Sequence, residues 1–281
     1  MKRKVVFFII LLIFIVIVWL IWSNKTVKTT DITVSSNNLP TEFNDYKIAH
    51  ISDLHNAEFG ENNSKIIDIL KNQNPDIIAV TGDLVDSNHT NIDIAVSFMK
   101  QAVKIAPCFY VTGNHEAWTE QYNELESKLI ECGVNVLHDT YFDLEKNGAK
   151  IKLVGIDDPS FTKGYELTEE SIIETKLKEF NLEDSYTILL SHRPEYFKTY
   201  VNSNIDLVLT GHAHGGQFRL PFIGGLVAPN QGLFPKYDSG LFTENNTNMV
   251  VSRGIGNSII PVRINNRSEV IMIKLQSIDS K

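Results

Sequence analysis

Cysteine is nearly absent from this chain of 281 residues. There are two, Cys108 and Cys132, and neither has zinc-site spacing. That excludes a thiolate-built zinc centre and leaves at most one disulfide. Cys108 lies in the strand-like run Pro107–Val111 and Cys132 near a helix end, so both are read as small buried hydrophobes. There is no G-x-S-x-G elbow to offer a serine nucleophile. No internal repeat or low-complexity tract is present, so a solenoid is excluded and a single compact domain of about 230 residues is expected. Basic charge is also scarce. The first thirty residues hold five of the 26 Lys/Arg and none of the 34 Asp/Glu, which leaves the remainder at net −13. Such a domain is a poor fit for a nucleic-acid backbone, and it does not adhere to anionic lipid by its average charge.

One long hydrophobic run stands apart. Lys2, Arg3 and Lys4 precede 18 unbroken apolar residues, Val5 to Trp22. As a helix this run is roughly 27 Å long, enough to cross a hydrocarbon core. Ser23, Asn24, Lys25 and Thr26 follow, with no small-x-small cleavage site, so residues 1–22 read as an uncleaved anchor. The basic excess before the run places the N-terminus in the cytoplasm and the rest outside, with Trp19 and Trp22 at the outer interface. Residues 23–45 read as a tether running into a first edge strand, with a β-like patch at Ile32 to Val34.

From residue 46 to 281 apolar strand runs alternate with helical patterns. Strands are expected at 47–52, 76–81, 108–112, 151–156, 186–190 and 205–209, and helices at 63–74, 92–105, 118–131 and 169–180. After Gly216 short β runs take over. The pattern implies an α/β fold with a parallel sheet, crossover helices and a β-rich second half.

Polar side chains follow these strands at regular places. Asp53 follows IAHIS, Asp83 follows IIAVTG, Asn114 follows FYVTG, His192 follows ILLS and His212 follows LVLTG. In open α/β sheets the ligand crevice lies beyond the carboxyl ends of the strands, so these five converge. His55, His115 and His214 accompany them in ISDLH, TGNHE and GHAHGG. Imidazole and carboxylate without thiolate suit Mn, Fe, Co or Zn. Two such ions about 3.5–4 Å apart clamp the attacking and leaving oxygens of an in-line displacement, and they need a bridging carboxylate. Asp83, central in the order, is the candidate. Two divalent ions, two aspartates and a bridging hydroxide leave a net positive centre, which attracts a phosphate anion in an acidic domain.

The set D-x-H, G-D, G-N-H-E, H and G-H-x-H resembles the calcineurin-like metallophosphoesterases over roughly residues 46–275. The resemblance implies a four-layer α/β/β/α sandwich. It implies one metal on Asp53, His55, Asp83 and His214, and a second on Asp83, Asn114, His192 and His212. It gives His115 the phosphate and the leaving oxygen, and it makes the nucleophile a hydroxide bridging the metals. GHAHGGQFRLPF, APNQGLF and SRGIGNS with PVR resemble the membrane-associated bacterial branch, whose members cleave phosphodiesters and pyrophosphates of UDP-2,3-diacylglucosamine-type lipids. The expected activity is therefore hydrolysis of a phosphodiester or pyrophosphate, of a lipid-linked or cell-envelope substrate, by a membrane-anchored enzyme. The competing reading is a surface binding protein that keeps the metals and has lost catalysis. A nuclease is disfavoured by the acidic charge and the anchor.

Several residues carry plainer expectations. His50, His89 and His138 read as ordinary strand or surface histidines. Asp86 reads as a cap or a partner of a ligand, and Asp157 and Asp158 as turn residues before Pro159. Glu116 either orients His115 or is a solvated acid in a first helical turn. Arg193 reads equally as a phosphate contact or a surface side chain. Arg253 and Asn257 lie in a Gly-rich stretch that could approach substrate. The apolar loop Leu220 to Tyr237 reads first as packing between sheets, with an acyl-chain site as the sharper alternative.

Overall fold

In the computed structural model, which describes residues 2–162, 167–180, 182, 185–257 and 260–278, the apolar runs become two six-stranded sheets. The strands are β1 (Val27–Ser36), β2 (Lys47–Ile51), β3 (Ile77–Thr81), β4 (Cys108–Val111), β5 (Asn135–Val136), β6 (Thr140–Lys146), β7 (Ala149–Gly155), β8 (Thr187–Leu190), β9 (Leu207–Thr210), β10 (Gly240–Glu244), β11 (Thr247–Val251) and β12 (Ser268–Ser277). One sheet runs β1-β12-β2-β3-β4-β5 and the other β10-β11-β9-β8-β7-β6. β2 to β5 pair in parallel, as do β7, β8, β9 and β11, while β6 and β10 close the second sheet as antiparallel edges. The alternation of strands and helices alone implies a parallel sheet, and the resemblance implies the two-sheet sandwich that is found. The sandwich splits the parallel strands into two sets, because each helix covers one face and leaves the other to meet a second sheet.

Three cores follow from this layering. Between the sheets, Ile48, Ala79, Val111, Leu153, Ile188 and Leu209 face one another. The helices α2 (Ser64–Gln73), α3 (Ile92–Ala102) and α5 (Tyr122–Glu131) cover the outer face of the first sheet. α6 (Glu169–Lys178) and α7 (Phe197–Asn202) cover that of the second. α3 shows the local logic. Asn91 caps it by accepting from the Asp93 N–H, and Ile92, Ala95, Phe98, Met99 and Ala102 fall on its buried side. The helix expected at 118–131 starts later, at Tyr122 as α5, because a separate short helix α4 (Asn114–Trp118) precedes it and the backbone turns extended at Thr119. Cys108 and Cys132 are both free, the first buried and the second partly so.

The N-terminal helix α1 spans Lys2–Lys25, three residues past the apolar run. It is long and apolar enough to cross a membrane, and its apolar side chains are exposed all around it. A tether running into a first edge strand is expected next, and the strand is there and longer than its Ile32–Val34 patch. Thr26 alone separates α1 from β1, a ten-residue edge strand paired in parallel with β12 from Val27 opposite Ser268 to Ser36 opposite Ser277.

Candidate metal centre

Every candidate at a strand end sits where expected. Asp53 comes two residues after β2, Asp83 two after β3, Asn114 three after β4, His192 two after β8 and His212 two after β9. The two sheets bring these ends together, and two contacts fasten them. The His192 Nδ1–H donates to the Thr81 carbonyl at 2.7 Å, and the His212 N–H donates to Asp53 Oδ1 at 3.1 Å. Space at the seam is minimal. A Cβ on Gly211 would lie 1.8 Å from Ser52 Oγ and 2.4 Å from Asp53 Oδ2. Asp53, His55, Asp83, His212 and His214 all hold φ between 42° and 63°. Left-handed backbone at five non-glycine positions is costly, and such strain gathers at functional sites.

Asp83 occupies the centre. Its Oδ1 accepts the His115 N–H at 2.9 Å. Its Oδ2 is left between His55 Nε2 at 3.4 Å and His192 Nε2 at 3.2 Å. Two clusters share it: Asp53, His55, Asp83 and His214 on one side, and Asp83, His192 and His212 on the other. Across the first, His55 Nε2 and His214 Nε2 face each other at 3.2 Å, and Asp53 Oδ1 lies 3.4 Å from His214 Nε2. Asn114 Oδ1 is buried without a hydrogen-bond partner, which suits a ligand of the second ion.

Electrostatics fit cations here. Burial lowers the His55 imidazole to about 4 and holds His212 and His214 well below the usual range, so all three are neutral and able to ligate. Burial also raises the Asp53 carboxyl to about 6. For Asp83 burial pushes upward too, yet His192, His55 and His115 hold its carboxyl well below the ordinary range. His192 shows why. Burial alone would lower it, but Asp83 and Asp53 carry it up to about 10. Its Nδ1–H is committed to Thr81, so Nε2 and Asp83 Oδ2 face each other at 3.2 Å with their lone pairs toward one place. The donor set fits a divalent metal there.

His115 faces the same pocket from α4. The Ser87 backbone N–H, which can only donate, reaches His115 Nδ1 at 3.0 Å. Nε2 then carries the proton, on a ring that meets His55 edge-on at 4.5 Å between centroids. A cavity of about 730 Å³ beside α6 and α7 is lined by none of the candidate metal ligands named above.

Some residues play other parts than expected. Glu116 is fully buried and neither orients His115 nor meets solvent. Its Oε2 accepts the N–H of Asp83 at 2.8 Å and of Gly113 at 2.7 Å, and its Oε1 those of Leu84 at 2.8 Å and Val85 at 3.4 Å. The spacing G-N-H-E, with Glu three residues past a helix cap, was the available signal. Arg193 is 2% exposed and paired with Asp158 at 2.6 Å and 3.0 Å, so it is neither a surface side chain nor open to substrate. Asp157 anchors His138 instead. His50 is a buried strand histidine bonded to Thr81. Asp86 caps a turn through the Asn88 N–H and lies 3.9 Å from His55 Nδ1. Arg253 lies 3.7 Å from Glu269, and Asn257 holds the Nε–H of Arg263. Ser258 of the SRGIGNS motif lies outside the described residues. Arg263, buried and donating to the carbonyls of Arg253 and Gly256, was not foreseen as part of the site.

The comparisons agree with this geometry. The family model described as calcineurin-like phosphoesterase matches residues 46–216. Among relatives, an uncharacterized metallophosphoesterase, YkuE of Bacillus subtilis, is 28% identical over 89% of this chain and 86% of its own. Phosphodiesterase YaeI of Escherichia coli is 28% identical over 82% of each. A transmembrane protein with metallophosphoesterase domain from Danio rerio is 29% identical over 89% of this chain, and there the match covers 57% of the relative. The solved structure of TT1561 of Thermus thermophilus superposes with a TM-score of 0.51 at 16% identity, over 74% of this chain and 89% of that one. With its motifs, its sandwich and its paired metal clusters, the chain belongs to the calcineurin-like phosphoesterases and is a metal-dependent phosphoric ester hydrolase.

Proposed function

We propose that this protein is a membrane-anchored phosphodiesterase or pyrophosphatase whose substrate is a lipid-linked or cell-envelope phosphate ester. The observation that carries the chemistry is Asp83 Oδ2 lying between His55 Nε2 and His192 Nε2, so that one carboxylate serves two clusters. We assign one metal to Asp53, His55, Asp83 and His214, and the other to Asp83, Asn114, His192 and His212. Two divalent ions supply the activated water and neutralise charge on the phosphate oxygens. The chain's own residues position and protonate. His115 presents Nε2–H to the leaving oxygen, held in that tautomer by Ser87. Glu116 fixes the Asp83 loop, and the Arg193–Asp158 pair braces His212, whose Nε2 is 3.2 Å from Arg193 Nη1.

Preference for a diester is supported by the relative named a phosphodiesterase. The lipid-linked substrate, of the UDP-2,3-diacylglucosamine kind or another, is supported by α1 and by the motifs of residues 211–222. The basic residues before the helix support a cytoplasmic N-terminus and an extracytoplasmic catalytic domain. The test is hydrolysis of bis(p-nitrophenyl) phosphate by the full chain in detergent, stripped with chelator and assayed with and without Mn²⁺. Activity returning with metal is expected. A folded protein inert with Mn²⁺, Fe²⁺, Co²⁺ and Zn²⁺ would favour the binding-protein reading.

A further inference from the structure

The exit of α1 is clamped to the rim of the metal centre. The Asn24 side-chain amide makes two bonds with the Arg263 backbone, donating to its carbonyl at 2.9 Å and accepting its N–H at 2.8 Å. The Arg267 guanidinium lies 4.4 Å from the Trp22 ring centroid and donates from Nε to Thr26 Oγ1 at 3.0 Å. A membrane helix places its tryptophans at the membrane–water interface. Asn24 is about 3 Å further along the helix axis than Trp22, so the segment bonded to it stands at nearly the same depth.

That segment is apolar and open. Ile260, Val262 and Ile264 are 37%, 41% and 41% exposed. The hairpin of Arg219–Leu220 and Gly224–Gly225 is bonded to it, with the Arg219 N–H donating to the Ile264 carbonyl at 3.0 Å and Gln217 Nε2 donating to the carbonyls of Ile260 and Val262. The hairpin tip presents Phe222, which is entirely exposed, and Ile223. The next turn presents Leu233 and Phe234, 69% and 58% exposed. Packing between sheets, the first reading of this loop, therefore fails at these four residues, while Leu226 and Val227 are half-buried and Tyr237 is in the core. A contiguous apolar surface of this kind marks an interaction site. Its charge is not acidic like the domain average: Arg219 is paired with Asp238, Arg253 lies against Glu269 and Arg263 is buried, which leaves the cations Lys236 and Arg267 at this surface.

The same loops border the metal ligands. Asn230 Oδ1 lies 3.4 Å from His212 Nε2 and Arg263 Nη2 3.5 Å from His214 Nδ1. The Leu226 N–H donates to the Gly216 carbonyl, two residues after His214.

We propose that the tips at Phe222–Ile223 and Leu233–Phe234, with Ile260–Ile264, form a lip that enters the interface of the bilayer in which α1 is anchored. The metal centre then opens onto lipid headgroups and takes amphiphilic phosphate esters from the membrane plane. The proposal rests on the reading that α1 spans the membrane. Its occupant is the bilayer itself, which α1 enters beside this surface, with Lys236 and with Arg267 next to Trp22 on the side of anionic headgroups.

The test uses the full chain in nanodiscs of phosphatidylcholine with about a quarter phosphatidylglycerol, the fraction being enough to give the surface a negative potential. In a Cys132→Ser background, an environment-sensitive fluorophore is attached after Ile15→Cys, Phe222→Cys or Glu145→Cys, with spin-labelled lipid as quencher. The expected result is strong quenching at 15 by deep labels and at 222 by shallow ones, with 145 behaving as in water. If 222 matches 145 while 15 is quenched, the lip is overturned and the anchor stands. If 15 is not quenched, the anchor reading fails and the lip fails with it. A second readout is turnover. Phe222→Ser with Phe234→Ser should lower hydrolysis of a vesicle-borne phosphodiester lipid by about tenfold or more, as loss of buried phenylalanine surface requires, and leave bis(p-nitrophenyl) phosphate within about twofold. Equal effects on both substrates, or none, would also overturn it.

Discussion

Replacing Glu116 by Gln tests whether the position of Asp83 is built by its neighbours or by its own loop. The change is isosteric and touches no metal ligand side chain. The wild-type carboxylate accepts four backbone N–H groups, two on each oxygen, from Asp83, Gly113, Leu84 and Val85. Glutamine keeps one oxygen and puts an NH₂ opposite the other two donors. Two buried N–H groups then lose their acceptor, at about 1–3 kcal/mol each. Removing the repulsion between Glu116 and Asp83 offsets part of this, since burial and that repulsion raise the Glu116 carboxyl to about 7. A net loss of about 2 kcal/mol is expected, or a fall of roughly 4–8 °C in the melting temperature of a domain this size. The Asp83 loop should also tolerate metal less well, so the Mn²⁺ concentration that half-restores activity should rise by about tenfold or more, because each 1.4 kcal/mol shifts an equilibrium tenfold. Calorimetry of the stripped protein and a Mn²⁺ titration of the loaded one read the two effects separately. A Glu116→Gln variant that melts with the parent and binds Mn²⁺ as tightly would refute the claim that Glu116 positions Asp83.

Other changes follow from single contacts. Asp83→Asn should reduce turnover to background by removing the shared carboxylate, and near-normal activity would end the two-cluster mechanism. Asp158→Ala leaves the buried Arg193 without its bidentate partner and should cost about 3–5 kcal/mol, read by urea unfolding. Loss of the charge by pairing Asp158→Leu with Arg193→Met should cost less than the single change. His138, held between Glu126 and Asp157, has its imidazole raised to about 9, first by the bond to Asp157. A pKa higher in the folded than the unfolded state gives stability that is complete below about 6.5 and lost as pH rises through about 9. The site is 38% exposed, so the contribution should be small, within about 1 kcal/mol. Melting at pH 6 and pH 9.5 should show the fall in the wild type and a flatter profile in His138→Ala.

Much of the centre was legible because its ligands follow apolar strand runs, and those runs are set by local hydrophobicity. IIAVTG and FYVTG each announce a buried strand, a turn and then a polar residue, and the structure places Asp83 and Asn114 two and three residues past the strands. The pairing of the two sheets was legible only through the motif resemblance, not in the apolar pattern. Apolar periodicity tells that β3 and β8 are buried on both sides, but not which face meets a helix and which meets the other sheet. The length of β1 was not legible. Val27 to Ser36 is rich in Thr and Ser and lacks a clean alternation, and its ten residues are extended because β12 lies alongside. Tertiary pairing overrides weak local preference there.

Glu116, Arg193 and Arg263 expose a second kind of gap. Each is a charged side chain of a type usually found at the surface, and each is buried near the candidate metal ligands. Burying a charge is tolerable only where partners are supplied, and here they come from backbone and from distant loops: four N–H groups for Glu116, Asp158 for Arg193, the carbonyls of Arg253 and Gly256 for Arg263. Those partners are between 3 and 35 residues away, and most lie at separations where no local pattern is readable. The candidate metal ligands could be named because chemistry restricts such residues to a few types, here at strand ends. The groups that hold the ligands in place answer to a weaker rule, satisfaction of hydrogen bonds, which many residues and many positions can meet. The apolar lip follows the same reasoning in reverse: a loop that reads as core by composition is open because its partner lies outside the chain.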